Sequence, residues 1–540
     1  MNQPIIHGSP FTSLWQSAAD EAVSRKNGIS KMAPADHPVI MGAQLHAQAM
    51  KQGKAVKAPS GSISKDDPQL HAYLSHINHR YAHAIISGDK QLESQIAKQR
   101  QQFVFKQPEW EEQLIYYFWY YYQYPFHTGQ APLYRSWKDK NFGKSNSNYG
   151  VIDWKIPANA KVALIGDIGI GTDTAAAVLA GALSHNPDVV LHVGDVYYSG
   201  TTFEFQHRLT SMYLEVCKTL GKKVPMFTIP GNHEYFNGNQ GFFNCLDSSN
   251  LILNPKQVQE ASYFCLRSAD HGWQYLAMDT GYHGHYLDVP VADQQAALSI
   301  LFNKKIKLPT DPTDKAWPKG FNPHFKNCKE GNLKVADMDK NPSMITIRKD
   351  ELEWHETQLK KFSGRTILLS HHQVLSANQH VGLPQKTIVQ KGKRIPDPTD
   401  VNRPGINTAL WAQFGKYMGN EVAAWFWGHE HNLVVFEDNY LPANWAGSSK
   451  ANAKKYRPIP LSRCVGHSAV PVQEKESPYT NKNKLPLNTK APELAVNAGF
   501  YSRGFQLMQL AGKGKPVDVT YYQVSEKDLS ITKIFQEQIS

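Results

Sequence analysis

Five short segments of this 540-residue chain place metal-ligating side chains directly behind runs of apolar residues. Asp167 closes KVALIGD with Gly169 two residues on, and Asp195 closes DVVLHVGD with Tyr198 three residues on. Asn232 and His233 follow VPMFTIPG, His371 follows TILLS, and His429 and His431 follow VAAWFWG. Any one of these is an ordinary turn former or a satisfied polar group. Five in succession, mixing carboxylate, amide and imidazole, are the donors of a borderline-hard pair of first-row metal ions, whereas soft-metal sites use thiolates. The cysteines do not compete for that role: Cys217, Cys245, Cys265, Cys328 and Cys464 form no CxxC pair and have no zinc-ligand spacing.

Those side chains need rigid elements to converge. Between Lys161 and His431 the chain alternates short apolar runs with helical segments such as TAAAVLAGALSH, residues 203–220 and ELEWHETQLKKF. That texture predicts an α/β core of buried strands, with the chemistry at the strands' carboxyl ends. The run GFQLMQLAGKGKPVDVTYYQV alternates like two or three antiparallel strands. Segments near 303–345 and 446–490, rich in Pro, Lys and Asn, read as loop insertions in a domain spanning 158–540. Residues 1–155 read as an N-terminal, mostly helical region. It contains the aromatic run YYFWYYY from Tyr116 to Tyr122, which suits either a helix wedged between domains or contact with a membrane interface or carbohydrate.

The ordered motifs D-x-G, GDxxY, GNHE, strand-to-His and GHxH resemble the calcineurin-like metallophosphoesterase superfamily over residues 158–435, with 499–525 similar to that fold's closing strands. The resemblance implies an α/β fold in which a β-sandwich is flanked by helices (αββα), here with the added N-terminal helical region. Two departures are coupled: Gly169 stands where the first motif usually supplies His, and Tyr198 ends the second motif. That exchange resembles the purple acid phosphatases, whose tyrosinate binds a ferric ion. Carried over, Asp167, Tyr198 and His431 would hold the first metal, Asn232, His371 and His429 the second, and Asp195 would bridge them. The implied cofactors are Fe(III) with Zn(II), Mn(II) or Fe(II), and the implied reaction is in-line attack of a metal-bridging hydroxide on a phosphate ester. His233 would contact the phosphate and protonate the leaving oxygen, with Glu234 orienting its ring. His380, nine residues after His371, would supply a second phosphate contact. Neighbours at a strand end normally face opposite ways, so only one of His371 and His372 is expected at the metals, and the resemblance implies His371, because in the family the ligand directly follows the hydrophobic strand and a small residue, here Ser370. His467, in CVGHSAVP, is a candidate for the pocket wall.

Composition bounds the alternatives. With 41% hydrophobic and 19% charged residues the chain is globular, and its net charge of +11 favours anionic partners. No apolar stretch reaches membrane-span length, and the first residues carry neither a basic nor a continuous apolar segment, so a cytoplasmic location is expected. Membrane contact through residues 116–122 is a weaker expectation, a nucleic-acid partner is not required, and the motifs say nothing of oligomeric state. The nearest alternative is a phosphodiesterase of nucleotides or phospholipid headgroups using the same site. A non-catalytic phosphate-binding scaffold fits less well because all seven ligand positions are filled. A dinucleotide-binding fold fits least: Gly166, Gly169 and Gly171 do not make G-x-G-x-x-G.

Overall fold

The computed structural model describes residues 132–248, 258–284, 345–442, 445, 450–497, 499–525 and 530–540, with six isolated positions before residue 100. The aromatic run 116–122, the helical spacing over 68–125 and nearly all of the 303–345 insertion lie outside the described residues.

Two mixed sheets face each other. In chain order their strands are β1 (Val151–Ile156), β2 (Lys161–Ile165), β3 (Val189–His192), β4 (Met226–Thr228), β5 (Phe264–Ser268), β6 (Trp273–Ala277) and β7 (Arg365–Ser370). A small hairpin of β8 (Thr387–Gln390) and β9 (Lys393–Pro396) follows, then β10 (Val422–Trp427), β11 (Leu433–Val435) and β12 (Ser462–Val465). A second small pair, β13 (Val496–Asn497) and β14 (Phe500–Tyr501), precedes β15 (Arg503–Gln509), β16 (Val517–Val524) and β17 (Ile531–Ile539). The six-stranded sheet runs β17-β16-β15-β2-β3-β4 and the seven-stranded sheet β1-β5-β6-β7-β10-β12-β11.

Alternation along each strand decides which layer a side chain joins. Val162 and Leu164 of β2, with Leu191 of β3, meet Leu266, Ile367, Leu369 and Phe426 of the other sheet in one apolar core. Their neighbours Ala163 and Ile165 point outward, against helices α1 (Asp173–Ser184) and α2 (Ser211–Leu220). On the far side, Leu276, Leu368, Trp425 and Trp427 pack against helices α4 (Lys349–Lys361) and α5 (Thr408–Phe414), and helix α3 (Gln240–Asp247) joins the first helical layer. Because both faces of β2, β3, β7 and β10 are covered, those strands are continuous apolar runs rather than alternating ones. Helix α1 begins where the Thr172 hydroxyl accepts the Ala175 amide at 3.2 Å. Its small residues allow a close approach: a Cβ on Gly181 would lie 2.4 Å from Ile531 Cδ1.

Three features differ from the sequence reading. Strand β12 lies inside the segment expected as the 446–490 insertion, yet it pairs with β10 and β11 within the sheet. Its SRCV sequence hides this role, since Arg463 is fully buried and forms a double hydrogen bond to Glu537 of β17 at 2.8 and 2.6 Å. Strand β1 starts ahead of the boundary expected near 155–158 and pairs in parallel with β5. Residues 132–150, in the region expected to be mostly helical, are turns and extended chain held to the domain by side chains. Arg135 grips the Asp247 carboxylate at 2.8 and 2.6 Å, and Trp137 Nε1 donates to the Asp350 carbonyl at 2.7 Å. Among the described residues no helix is long and apolar enough to cross a membrane.

Candidate metal centre

Strands β2, β3, β4, β7 and β10 release the chain at one edge of the sandwich, and each release carries a candidate ligand within four residues of the strand's end. The backbone there is unusual. Asp167 (φ 59°), Asp195 (φ 69°), His429 (φ 69°) and His431 (φ 38°) all occupy the left-handed region, which L residues enter at an energetic penalty and which clusters at functional sites. Two glycines make room: a Cβ on Gly231 would lie 2.0 Å from Asp195 Oδ1 and 2.7 Å from His371 Nε2, and one on Gly428 2.6 Å from Asp167 Oδ2.

The ligand atoms form two groups that share one oxygen. His371 Nε2 lies 3.2 Å from Asn232 Oδ1, 3.2 Å from His429 Nδ1 and 3.2 Å from Asp195 Oδ2. His429 Nδ1 is 3.1 Å from Asn232 Oδ1. In the other group the Tyr197 hydroxyl is 2.8 Å from Asp167 Oδ1, 2.8 Å from His431 Nε2 and 3.1 Å from the same Asp195 Oδ2. Ligands bound to one ion at about 2.1 Å stand roughly 3.0–3.4 Å apart, which is the spacing of the first group. His371 donates its Nδ1 hydrogen to the Val193 carbonyl at 2.9 Å, leaving Nε2 turned to the cluster, as ligating histidines are held.

The donor set fits a cation. With both imidazoles neutral, His371 Nε2, His429 Nδ1, the Asn232 amide oxygen and the Asp195 carboxylate would all be acceptors, so the cluster calls for a positive charge: a cation or, without one, a proton on His371. The Tyr197 hydroxyl has one proton for three acceptors. The protonation balance expresses the same demand. Burial pushes Asp167 up to about 7. Burial opposes charge on both Asp195 and His371, but their contact holds Asp195 well below the usual carboxylate range and raises His371 to about 9. Grouped by geometry, Asp167, Asp195 and His431 form one set able to hold a metal and His371, His372 and His429 another.

The sequence-derived residues fall out as follows. Asp167, Asp195, Asn232, His371, His429 and His431 are brought together. Tyr198 was the tyrosine expected beside them, but its neighbour Tyr197 reaches the cluster. The Tyr197 amide bonds to the Gly169 carbonyl at 2.9 Å, and Arg208 Nη1 holds the Tyr197 carbonyl at 2.7 Å. The Tyr198 ring lies against Arg208, its centroid 4.7 Å from the guanidinium carbon. Gly169 is required by the same turn, since a Cβ there would lie 2.6 Å from Val196 Cα. His233 donates Nδ1–H to the Tyr198 carbonyl at 2.5 Å, and its Nε2 is 4.0 Å from Asp195 Oδ2. Burial holds its pKa below the ordinary histidine value. Glu234 does not orient that ring: its two oxygens accept the Val196 amide at 2.6 Å and the Gly231 amide at 2.7 Å, fastening the loop after β3 to the loop after β4. His380 is exposed and stands outside both groups of ligand atoms. His467 is fully buried beside Gln506 of β15, 3.4 Å from its Nε2.

Sequence reasoning thus missed Tyr197 and the approach of His372, both members of doublets (Tyr197-Tyr198 and His371-His372) in which spacing alone cannot choose. No curated protein matches the chain. The sequence profile of the calcineurin-like phosphoesterase family matches residues 160–433, an interval that contains every ligand position above. Covering more than half of the 540 residues, and coinciding with the strands that carry the cluster, that match establishes that the chain belongs to the calcineurin-like phosphoesterase family.

Proposed function

We propose that the chain is a binuclear-metal hydrolase of phosphate esters resembling the purple acid phosphatases, with Tyr197 in the place expected for Tyr198. The observation that carries this reading is the shared oxygen: Asp195 Oδ2 lies 3.2 Å from His371 Nε2 and 3.1 Å from the Tyr197 hydroxyl, so one carboxylate belongs to both groups. Asp167, Tyr197 and His431 would hold one ion, and Asn232, His371 and His429 the other. Phenolate favours Fe(III) at the first position, and the second suits Zn(II), Mn(II) or Fe(II). Bound there, the pair supplies Lewis-acid stabilisation of the phosphoryl oxygens and activates water for in-line attack.

The chain's own groups supply positioning and proton transfer. His233, anchored through Nδ1 to the Tyr198 carbonyl, keeps Nε2 on the cluster side, where it can deliver a proton to a leaving oxygen. Glu234 fixes the two loops that carry Asp195 and Asn232, so the ligands are preorganised by backbone rather than by substrate.

Elemental analysis and a visible spectrum of protein purified without added metal, followed by hydrolysis of one aryl phosphate monoester and one bis-aryl diester, test the reading. Two ions per chain including iron, a tyrosinate charge-transfer band and turnover of either ester are expected. The ratio of the two rates separates phosphatase from phosphodiesterase. Absence of turnover with two bound ions would overturn the hydrolase assignment, and two ions without the band would overturn the ferric tyrosinate part alone.

A further inference from the structure

Adjacent residues on a strand point to opposite faces, so His372 would ordinarily be turned from the cluster that His371 joins. The chain stops being a strand just before them. The Ser370 hydroxyl donates to the His372 carbonyl at 2.8 Å, and the His372 amide donates to Thr280 Oγ1 at 2.9 Å. The resulting bend brings both imidazoles to the same place. His371, His372 and His429 each offer a ring nitrogen within 4.8 Å of the others, and the His372 ring centroid is 4.6 Å from that of His429.

The two nitrogens of His372 differ. Nδ1 is 3.0 Å from Thr280 Oγ1. Nε2 is buried and has no hydrogen-bond partner, in a residue only 1% exposed. A buried polar atom without a partner is unfavourable, and one nitrogen held while the other stays free is how ligating histidines are presented. Gly284 packs closely against this edge of the ring: a Cβ there would lie 2.1 Å from Cε1 and 2.4 Å from Nε2.

We propose that His372 is a third imidazole ligand of the second metal position, donating through Nε2 beside His371, His429, Asn232 and the bridging Asp195. This rests on the binuclear reading above and sharpens it. Three imidazoles at one position favour Zn(II) over Mn(II), which prefers oxygen donors.

The test uses the full chain stripped with a chelator and titrated with Co(II), whose visible absorption reports ligand number and geometry. His372→Ala is expected to weaken uptake of the second Co(II) by about ten- to a hundredfold or more and to alter its absorption, with the first Co(II) unaffected. Gly284→Ala, which pushes the ring aside without removing it, is expected to give the same spectral change, and His380→Ala to give none. A wild-type chain that binds two Co(II), with His372→Ala and Gly284→Ala both matching its affinity and spectrum, overturns the role of His372 and leaves the binuclear reading standing. A wild-type chain that binds only one Co(II) overturns both.

Discussion

The domain buries two clusters of carboxylates, and they are built on opposite principles. At the metal centre Asp167 and Asp195 face Tyr197, His371 and His431, with more acceptors than protons and a left-handed backbone at both aspartates. Around Asp279 and Glu351 every carboxylate oxygen meets a donor. Asp279 accepts the Tyr235 hydroxyl at 2.5 Å and the Tyr282 amide at 3.0 Å. Glu351 accepts the Asp279 amide and the Tyr134 hydroxyl, each at 2.8 Å. Neither Asp279 nor Glu351 has positive φ. Burial raises Asp279 to about 7 and Glu351 to about 8, and the donors on all four oxygens leave no gathering of bare acceptors for a cation to fill. Buried carboxylates alone therefore do not mark a metal site. Convergent acceptors on strained backbone do.

The comparison breaks most sharply at one aspartate from each cluster. Asp195→Ala removes the oxygen common to both ligand groups, and loss of both ions with at least about a thousandfold drop in phosphoester hydrolysis is expected. Asp279→Asn keeps the shape of a carboxyl that is largely satisfied by donors. It is expected to leave metal content at the wild-type level and to lower stability by about 1–2 kcal/mol. Elemental analysis beside urea unfolding measures both, and metal loss in Asp279→Asn would erase the distinction.

How much of this was legible follows from the same contrast. The ligand-bearing strands could be read because a buried strand is a plain apolar run, and the residue just past it is the first free to turn toward the site. The order of Asp167, Asp195, Asn232, His371, His429 and His431 came with them. Which member of a doublet turns inward could not be read, because that depends on distant contacts: Arg208 and Gly169 on the Tyr197-Tyr198 pair, Thr280 and Gly284 on His372. Strand β12 was hidden for a related reason. Its arginine is buried because Glu537, 74 residues later, and Asp438, 25 residues earlier, receive it. The Asp279–Glu351 cluster left no local pattern, since its donors come from Tyr134, Tyr235 and the backbone.

The tyrosine doublet gives a second, smaller effect. Tyr197→Phe deletes the hydroxyl that meets Asp167, Asp195 and His431, so loss of any charge-transfer band and a weakening of the first metal by about ten- to a hundredfold are expected. Tyr198→Phe leaves that hydroxyl in place and is expected to keep both band and metal. The reverse pattern in a visible spectrum of the two variants would return the role to Tyr198.

The smallest effect lies in the proton-satisfied cluster and appears only as a slope with pH. A carboxyl whose folded pKa of about 8 exceeds its unfolded value adds stability that is complete below the unfolded pKa and disappears as pH rises through 8. His355, 3.2 Å from Glu351, is held down to about 3 by burial, so its stability effect changes only below its unfolded value, at lower pH. Asp279, at about 7, is half titrated at neutrality and adds the rest of its loss to both proteins. Between about pH 7 and about pH 8.5 the wild type should therefore lose about 1 kcal/mol more stability than Glu351→Gln. The difference between the two is the quantity to measure, by urea midpoints at each end of that range, because losses at other groups are common to both proteins. Equal slopes would mean that Glu351 is ionised throughout, and that the second cluster, like the first, needs a positive charge it does not contain.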